Sequence, residues 1–158
     1  MIHFLKKYLR HKSIPIVWSM IILILLSLPG SMLPDESVFK IANLDKFVHL
    51  GLFGGFVFLW SIYFSTKDTS RRRLFSFFSW IFLASCAYGT TMEFVQKYFI
   101  PSRDFELGDI MADVIGSAIA FSFSIIMLLP RKSKWLKCLK WFFAEVHKKS
   151  KPLLKQGP

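Results

Sequence analysis

Three pairs of polar residues stand at helical spacing beside long apolar runs: Asp45 with His49, Glu93 with Gln96, and Asp109 with Asp113. Residues three or four apart share one face of a helix, so each pair aims its two side chains the same way. Arg103 and Asp104 fall in the short stretch joining the second pair to the third. One imidazole among several carboxylates can hold a divalent cation. The same groups can serve acid–base catalysis, for which His49 and Glu93 are the candidates. A third option is recognition, with Asp45, His49, Glu93, Gln96, Arg103, Asp104, Asp109 and Asp113 binding a head group, sugar or peptide through hydrogen bonds. Arg103 is the strong cation expected to reach several carboxylates at once, since its planar fork suits bidentate pairing. The chain has no H-E-x-x-H, cysteine-based site, G-x-S-x-G or phosphate-binding loop to narrow the chemistry.

Plainer explanations apply to some of these residues. Arg103, Asp104 and Glu106 could be solvated loop ions, and Asp45 and Asp109 first-turn carboxylates facing a helix dipole. The whole set could also be an ion-pair cluster that fastens helices together. Glu93, His49 and Asp113 resist that reading most, because an idle ionisable group at membrane depth is costly. From the residues alone, reaction, recognition and fastening all stay open.

The elements that must position these groups are written in the apolar runs. The 158 residues are 53% hydrophobic, with 18 Phe, which makes a bilayer the natural solvent. A span needs roughly 20 apolar residues in a helix. Four segments qualify, at about 14–33, 46–64, 74–98 and 107–129. No strand alternation accompanies them, so the expected class is all-α: a polytopic membrane protein with four transmembrane helices in a bundle, filling one domain from 1 to 130. Lys6, Lys7, Arg10 and Lys12 precede the first run as a signal-peptide n-region would, but no A-x-A-like site follows, so this segment is read as a retained span. Gly51, Gly54, Gly55 and Gly116 with Ala120 are expected to let helices approach closely. Trp60, Trp80 and Trp135 are expected to be interface anchors.

Charge gives the orientation. Basic residues crowd the N-terminal segment, the 67–73 loop and the tail, whereas the loops carrying Asp35, Glu36, Asp104 and Glu106 are acidic. By the positive-inside rule both termini are cytoplasmic and the polar pairs lie at the outer ends of their spans. The net charge of +11 would point to nucleic acid in a soluble chain. In so apolar a chain it points to anionic lipid instead, and no nucleic-acid partner is expected. Residues 131–158 read as a basic amphipathic helix followed by a disordered tail. Trp135, Leu139, Phe142, Phe143 and Val146 form its apolar side, and Lys134, Lys137, Lys140 and Lys148 would meet anionic lipid at the cytoplasmic face. Cys86 and Cys138 are placed at different depths, so neither a disulfide nor a cysteine metal site is expected.

The motifs resemble those of the VanZ-like membrane proteins. DKFVHLGLFGG (45–55) is similar to that family's Asp-Lys-x-x-His signature. MEFVQKYFIPSRDFELGDIMADVIGS (92–117) is similar to its Glu-x-x-Gln, Arg-Asp loop and Asp-x-x-x-Asn-x-x-Gly signature, and LPGSMLP before the first loop also fits. The match covers residues 14–129, with Asp113 standing where the family usually has Asn and Ala120 where it often has Gly. The resemblance implies a small four-span protein of the bacterial cytoplasmic membrane, in a family linked to low-level teicoplanin resistance. It implies Asp45, His49, Glu93, Gln96, Arg103, Asp109 and Asp113 as functional positions, but no reaction. The resulting expectation is an outward polar pocket for a lipid-linked or cell-wall component, with an intramembrane hydrolase or transferase as the alternative and a scaffold as the second. No organic cofactor is expected; a divalent cation is the one the residues could hold.

Overall fold

The computed structural model describes residues 9, 11–29, 44–68 and 70–129. They form four α-helices and no strand: α1 Ser13–Leu26, α2 Leu44–Lys67, α3 Arg71–Phe99 and α4 Leu107–Leu128. At 1.5 Å per residue, α2, α3 and α4 are each over about 30 Å long, the thickness of a hydrocarbon core. These three are long and apolar enough to cross a membrane. The expected helical class stands. The first segment is shorter among the described residues than the expected 14–33, because α1 ends at Leu26 with Ser27 closing its last turn. Residues 30–43 and the basic segment 131–158 lie outside the described residues, so the expected tail helix and the loop bearing Asp35 and Glu36 do too.

The helix ends reach a little past the apolar runs, since backbone hydrogen bonding continues once the chain has left the apolar stretch. α2 starts at Leu44, before Lys46, and α3 starts at Arg71, ahead of Leu74. The α2–α3 turn is held by Asp68, whose carboxylate accepts the Ser70 N–H at 2.7 Å and pairs with Arg73 Nε at 2.8 Å. At the other end of α3, Pro101 and Ser102 reverse the chain, with Ser102 in the left-handed region at φ 59°. Phe105 then folds back on Phe94, ring centroids 5.5 Å apart.

Successive helices alternate in direction, which brings the start of α2, the end of α3 and the start of α4 to one end of the bundle. Between apolar helices in lipid, close packing and hydrogen bonds do the work that water exclusion does elsewhere. α2 and α4 meet through glycine. A Cβ on Gly116 would run into the Leu50 carbonyl, and one on Gly54 would lie 3.2 Å from the Gly116 carbonyl oxygen. Two of the expected small-residue positions behave differently. Gly55 lies under the Trp18 indole, and Gly51 is exposed with open space where its Cβ would be. Ser85 and Ser117 hydrogen-bond at 2.8 Å, tying α3 to α4 in the buried interior. α1 is held by Trp18 Nε1 donating to the Leu52 carbonyl and Tyr88 Oη donating to the Ser19 carbonyl. Trp60 is half-buried, and its indole donates to Ser19 Oγ at 3.3 Å. Trp80, 68% exposed, does face outward.

The apolar side chains that remain exposed, such as Ile24, Ile119 and Ile126 at about 60%, face away from the bundle. The buried positions, by contrast, include Ser61, Ser85, Ser117 and Ser124. Apolar outside and partly polar inside is the pattern of helices solvated by lipid.

Candidate functional site

The site is assembled where α2 begins, α3 ends and α4 begins. His49, in the second turn of α2, is 2% exposed. It lies between two carboxylates that are one turn apart on α4. Asp113 Oδ1 is 2.9 Å from Nδ1, and Asp109 Oδ2 is 3.8 Å from Nε2. The first is a hydrogen bond; the second is too long to be one. Phe53, one turn on in α2, stacks beside the imidazole with centroids 6.4 Å apart. Across from Asp113, α3 carries Gly89, and a Cβ there would occupy the space of the Asp113 carboxylate. Gly89 therefore makes room for the acid that holds His49.

Glu93, fully buried, comes from α3 about 9 Å short of its end at 1.5 Å per residue. Its Oε2 accepts the Glu106 backbone N–H at 3.0 Å, at the residue that caps α4. Its Oε1 is buried and has no hydrogen-bond partner. Asp113 Oδ2 and Asp109 Oδ1 are also buried without a hydrogen bond, although Lys46 Nζ stands 3.6 Å from the latter.

Lys46 supplies the cation that sequence reasoning assigned to Arg103. Its ammonium lies 3.0 Å from Glu106 Oε2, 3.4 Å from Asp45 Oδ2 and 3.6 Å from Asp109 Oδ1. Gly108 gives it passage, since a Cβ there would come within 2.6 Å of Lys46 Cε. Arg103 makes no ion pair among the described residues, and its Nε is buried without a hydrogen bond. Asp104 is exposed and joins no ion pair there. Gln96 is buried but turned away, with Nε2 donating to the Leu26 carbonyl at 3.0 Å. It fixes the end of α1.

The structure thus brings together Asp45, His49, Glu93, Asp109 and Asp113, and leaves Gln96, Arg103 and Asp104 outside that cluster. It adds Lys46 and Glu106. Lys46 was findable: it is three residues before His49 and shares its helix face. Glu106 contributes through its backbone as well as its side chain, and spacing along one helix cannot reveal that.

Among the described residues, two groups of three side chains could hold a cation: His49, Glu93 and Asp109, whose donor atoms all lie within 4.8 Å of one another, and Asp45, Glu106 and Asp109. The second group already surrounds the Lys46 ammonium. The first meets that ammonium only through Asp109 among the described residues. Cys86, half-buried on α3, is a free thiol, and Cys138 lies outside the described residues. Compared with known protein families, curated proteins and solved structures, the chain finds no match.

Proposed function

We propose that this chain is a VanZ-like integral membrane protein of the bacterial envelope, whose buried polar cluster binds the head group of a lipid-linked or cell-wall component at the outer membrane boundary. In this reading the first segment completes a fourth span through residues 14–33, both termini are cytoplasmic, and the tail lies on anionic lipid through Lys134, Lys137, Lys140 and Lys148. Occupation of the site would alter how an external lipophilic glycopeptide of the teicoplanin type reaches its target.

The observation that carries the proposal is the incompleteness of the cluster. A set of charges that only fastens helices would satisfy its own oxygens, because a buried unpaired acceptor costs about 1–3 kcal/mol and a charged one more. Glu93 Oε1 and Asp113 Oδ2 are buried and unmatched. Orphan carboxylate oxygens beside a fixed imidazole are what a ligand with donors of its own would complete.

A second reading has its own support. The Asp113–His49 hydrogen bond fixes which imidazole nitrogen is left free beside Asp109, as the carboxylate does in acid–base catalysis by histidine. An intramembrane hydrolase or transferase acting on the same lipid-linked component would use His49 Nε2 and Glu93.

The test is binding of a purified lipid-linked cell-wall precursor to the full chain in nanodiscs, followed by thin-layer analysis of the lipid. Binding that is lost in Glu93→Gln and kept in Asp104→Asn supports the proposal. Turnover of the bound lipid selects the enzyme reading. Equal binding by parent and Glu93→Gln overturns both.

A further inference from the structure

We propose that His49 Nε2, Glu93 and Asp109 bind a single divalent transition-metal ion, Zn²⁺ in the first instance, with Asp113 as the outer carboxylate that fixes the imidazole. Three features of the site lead there. The first is the donor set, one imidazole nitrogen and one oxygen from each of two carboxylates, all within 4.8 Å. Ligands about 2.1 Å from a tetrahedral ion stand roughly 3.4 Å apart, so rotation of the side chains is enough to close the set. The His49 Nε2–Asp109 Oδ2 separation of 3.8 Å is already near that span and too long for a hydrogen bond.

The second feature is the partner of the other ring nitrogen. A metal-bound histidine almost always gives its remaining N–H to a carboxylate or carbonyl. His49 does so from Nδ1 to Asp113 Oδ1 at 2.9 Å, which leaves Nε2 on the side of Asp109, 3.8 Å from its Oδ2.

The third is independent of spacing. Glu93 is fully buried, and its Oε1 has no partner. The neighbouring carboxylate group explains what is missing. Asp45, Glu106 and Asp109 have a cation, the Lys46 ammonium, 3.0 to 3.6 Å from each of them. Glu93, deeper in the bundle, makes no ion pair with that ammonium, and its Oε1 meets no donor or cation among the described residues. Imidazole favours Zn²⁺ and its first-row neighbours over Mg²⁺ and Ca²⁺, which prefer all-oxygen shells.

Three protein ligands leave a coordination position free on a four-coordinate ion. In a cluster of five carboxylates (Asp45, Glu93, Glu106, Asp109 and Asp113), an anionic head group would otherwise be repelled. The ion would offset part of that charge and offer its free position to an anionic oxygen of the ligand. This last step rests on the function proposed above; the metal assignment does not.

The experiment uses the full chain in nanodiscs, stripped with a chelator and titrated by calorimetry with Zn²⁺ alone. One ion per chain is expected. Affinity should fall at least about 100-fold in His49→Ala and Glu93→Gln, and about 10–100-fold in Asp113→Ala. Asp104→Asn should leave it unchanged. Circular dichroism and gel filtration establish that each variant is folded. X-ray absorption at the zinc edge of the loaded parent chain, which needs no variant, should show one imidazole in a shell of nitrogen and oxygen. No saturable binding, an all-oxygen shell, or wild-type affinity in a folded His49→Ala overturns the metal site. Precursor binding that survives chelation removes the ion's role in recognition and leaves the proposed function standing. Zinc binding with no precursor binding does the reverse.

Discussion

His49 on α2 and Asp113 on α4 form a fully buried hydrogen bond, Nδ1 to Oδ1 at 2.9 Å, in the space left open by Gly89. Three helices contribute to it: α2 the ring, α4 the acid, and α3 the missing side chain. The bond therefore reports on the packing of the bundle as well as on the chemistry of the site.

Its two parts separate by substitution. Asp113→Asn keeps an oxygen that can accept from Nδ1–H, so the melting temperature in nanodiscs should stay near that of the parent chain. Asp113→Ala leaves the imidazole N–H buried without a partner, at a cost of about 1–3 kcal/mol. A thermal shift as large for Asn as for Ala would mean that the charge, and not the hydrogen bond, holds the ring.

Glu93→Gln should separate fold from function. The Gln carbonyl oxygen can still accept the Glu106 N–H that Glu93 Oε2 now takes at 3.0 Å, so the start of α4 stays capped. The change removes the negative charge at the orphan oxygen. Helicity and gel-filtration profile should match the parent while precursor binding is lost. Glu93→Ala, in contrast, should loosen the Glu106 cap and speed hydrogen exchange at the first turn of α4. Unchanged exchange there would show that Glu93 does not secure that helix.

How much of this was legible beforehand follows from the kind of signal each residue carried. Asp45, His49, Glu93, Asp109 and Asp113 were readable because ionisable groups beside apolar runs must face one another or pay for their burial. Guanidinium geometry favours Arg103 as the cation of the cluster, but position favours Lys46. Lys46 is on the same helix face as His49, whereas Arg103 sits beyond the Pro101–Ser102 reversal and joins no ion pair among the described residues. Gln96 shares a face with Glu93, as predicted, but one turn nearer the helix end that face meets α1 and the Leu26 carbonyl instead of the site. Helical periodicity gives the face; which neighbour covers it is a tertiary fact. The role of Gly89 was legible only as a small residue among others, because nothing in its local sequence names Asp113 as the group it accommodates.

Crossing of the membrane by α3 can be tested without assuming an orientation. Lys67 and Ser102 are both exposed and lie beyond opposite ends of α3. In a chain with Cys86 and Cys138 replaced by Ser, Lys67→Cys and Ser102→Cys should react with a membrane-impermeant maleimide from opposite sides. In whole cells Ser102→Cys should label and Lys67→Cys should not, with the pattern reversed in inverted vesicles. Labelling of both from one side would rule out a spanning α3; the reverse pattern would keep the span and invert the proposed topology.

The glycines give the sharpest test of how the site is held together. A Cβ at Gly116 would strike the Leu50 carbonyl, so Gly116→Ala must push α4 away from α2 near the level of His49. Overpacking of this kind costs about 1–3 kcal/mol. Because His49 is on α2 and both Asp109 and Asp113 are on α4, the same displacement should weaken ligand and metal binding although Gly116 touches neither. Gly51, five residues before Phe56 on α2, is the control: it is exposed, with open space at the Cβ position. Gly51→Ala should be neutral or stabilise by up to about 1 kcal/mol, the usual difference between these residues inside a helix. Melting temperatures of the two variants should therefore move in opposite directions or differ by several degrees. If Gly116→Ala melts with the parent chain and binds as it does, the close approach of α2 and α4 is not what sets the distance between His49 and its two acids.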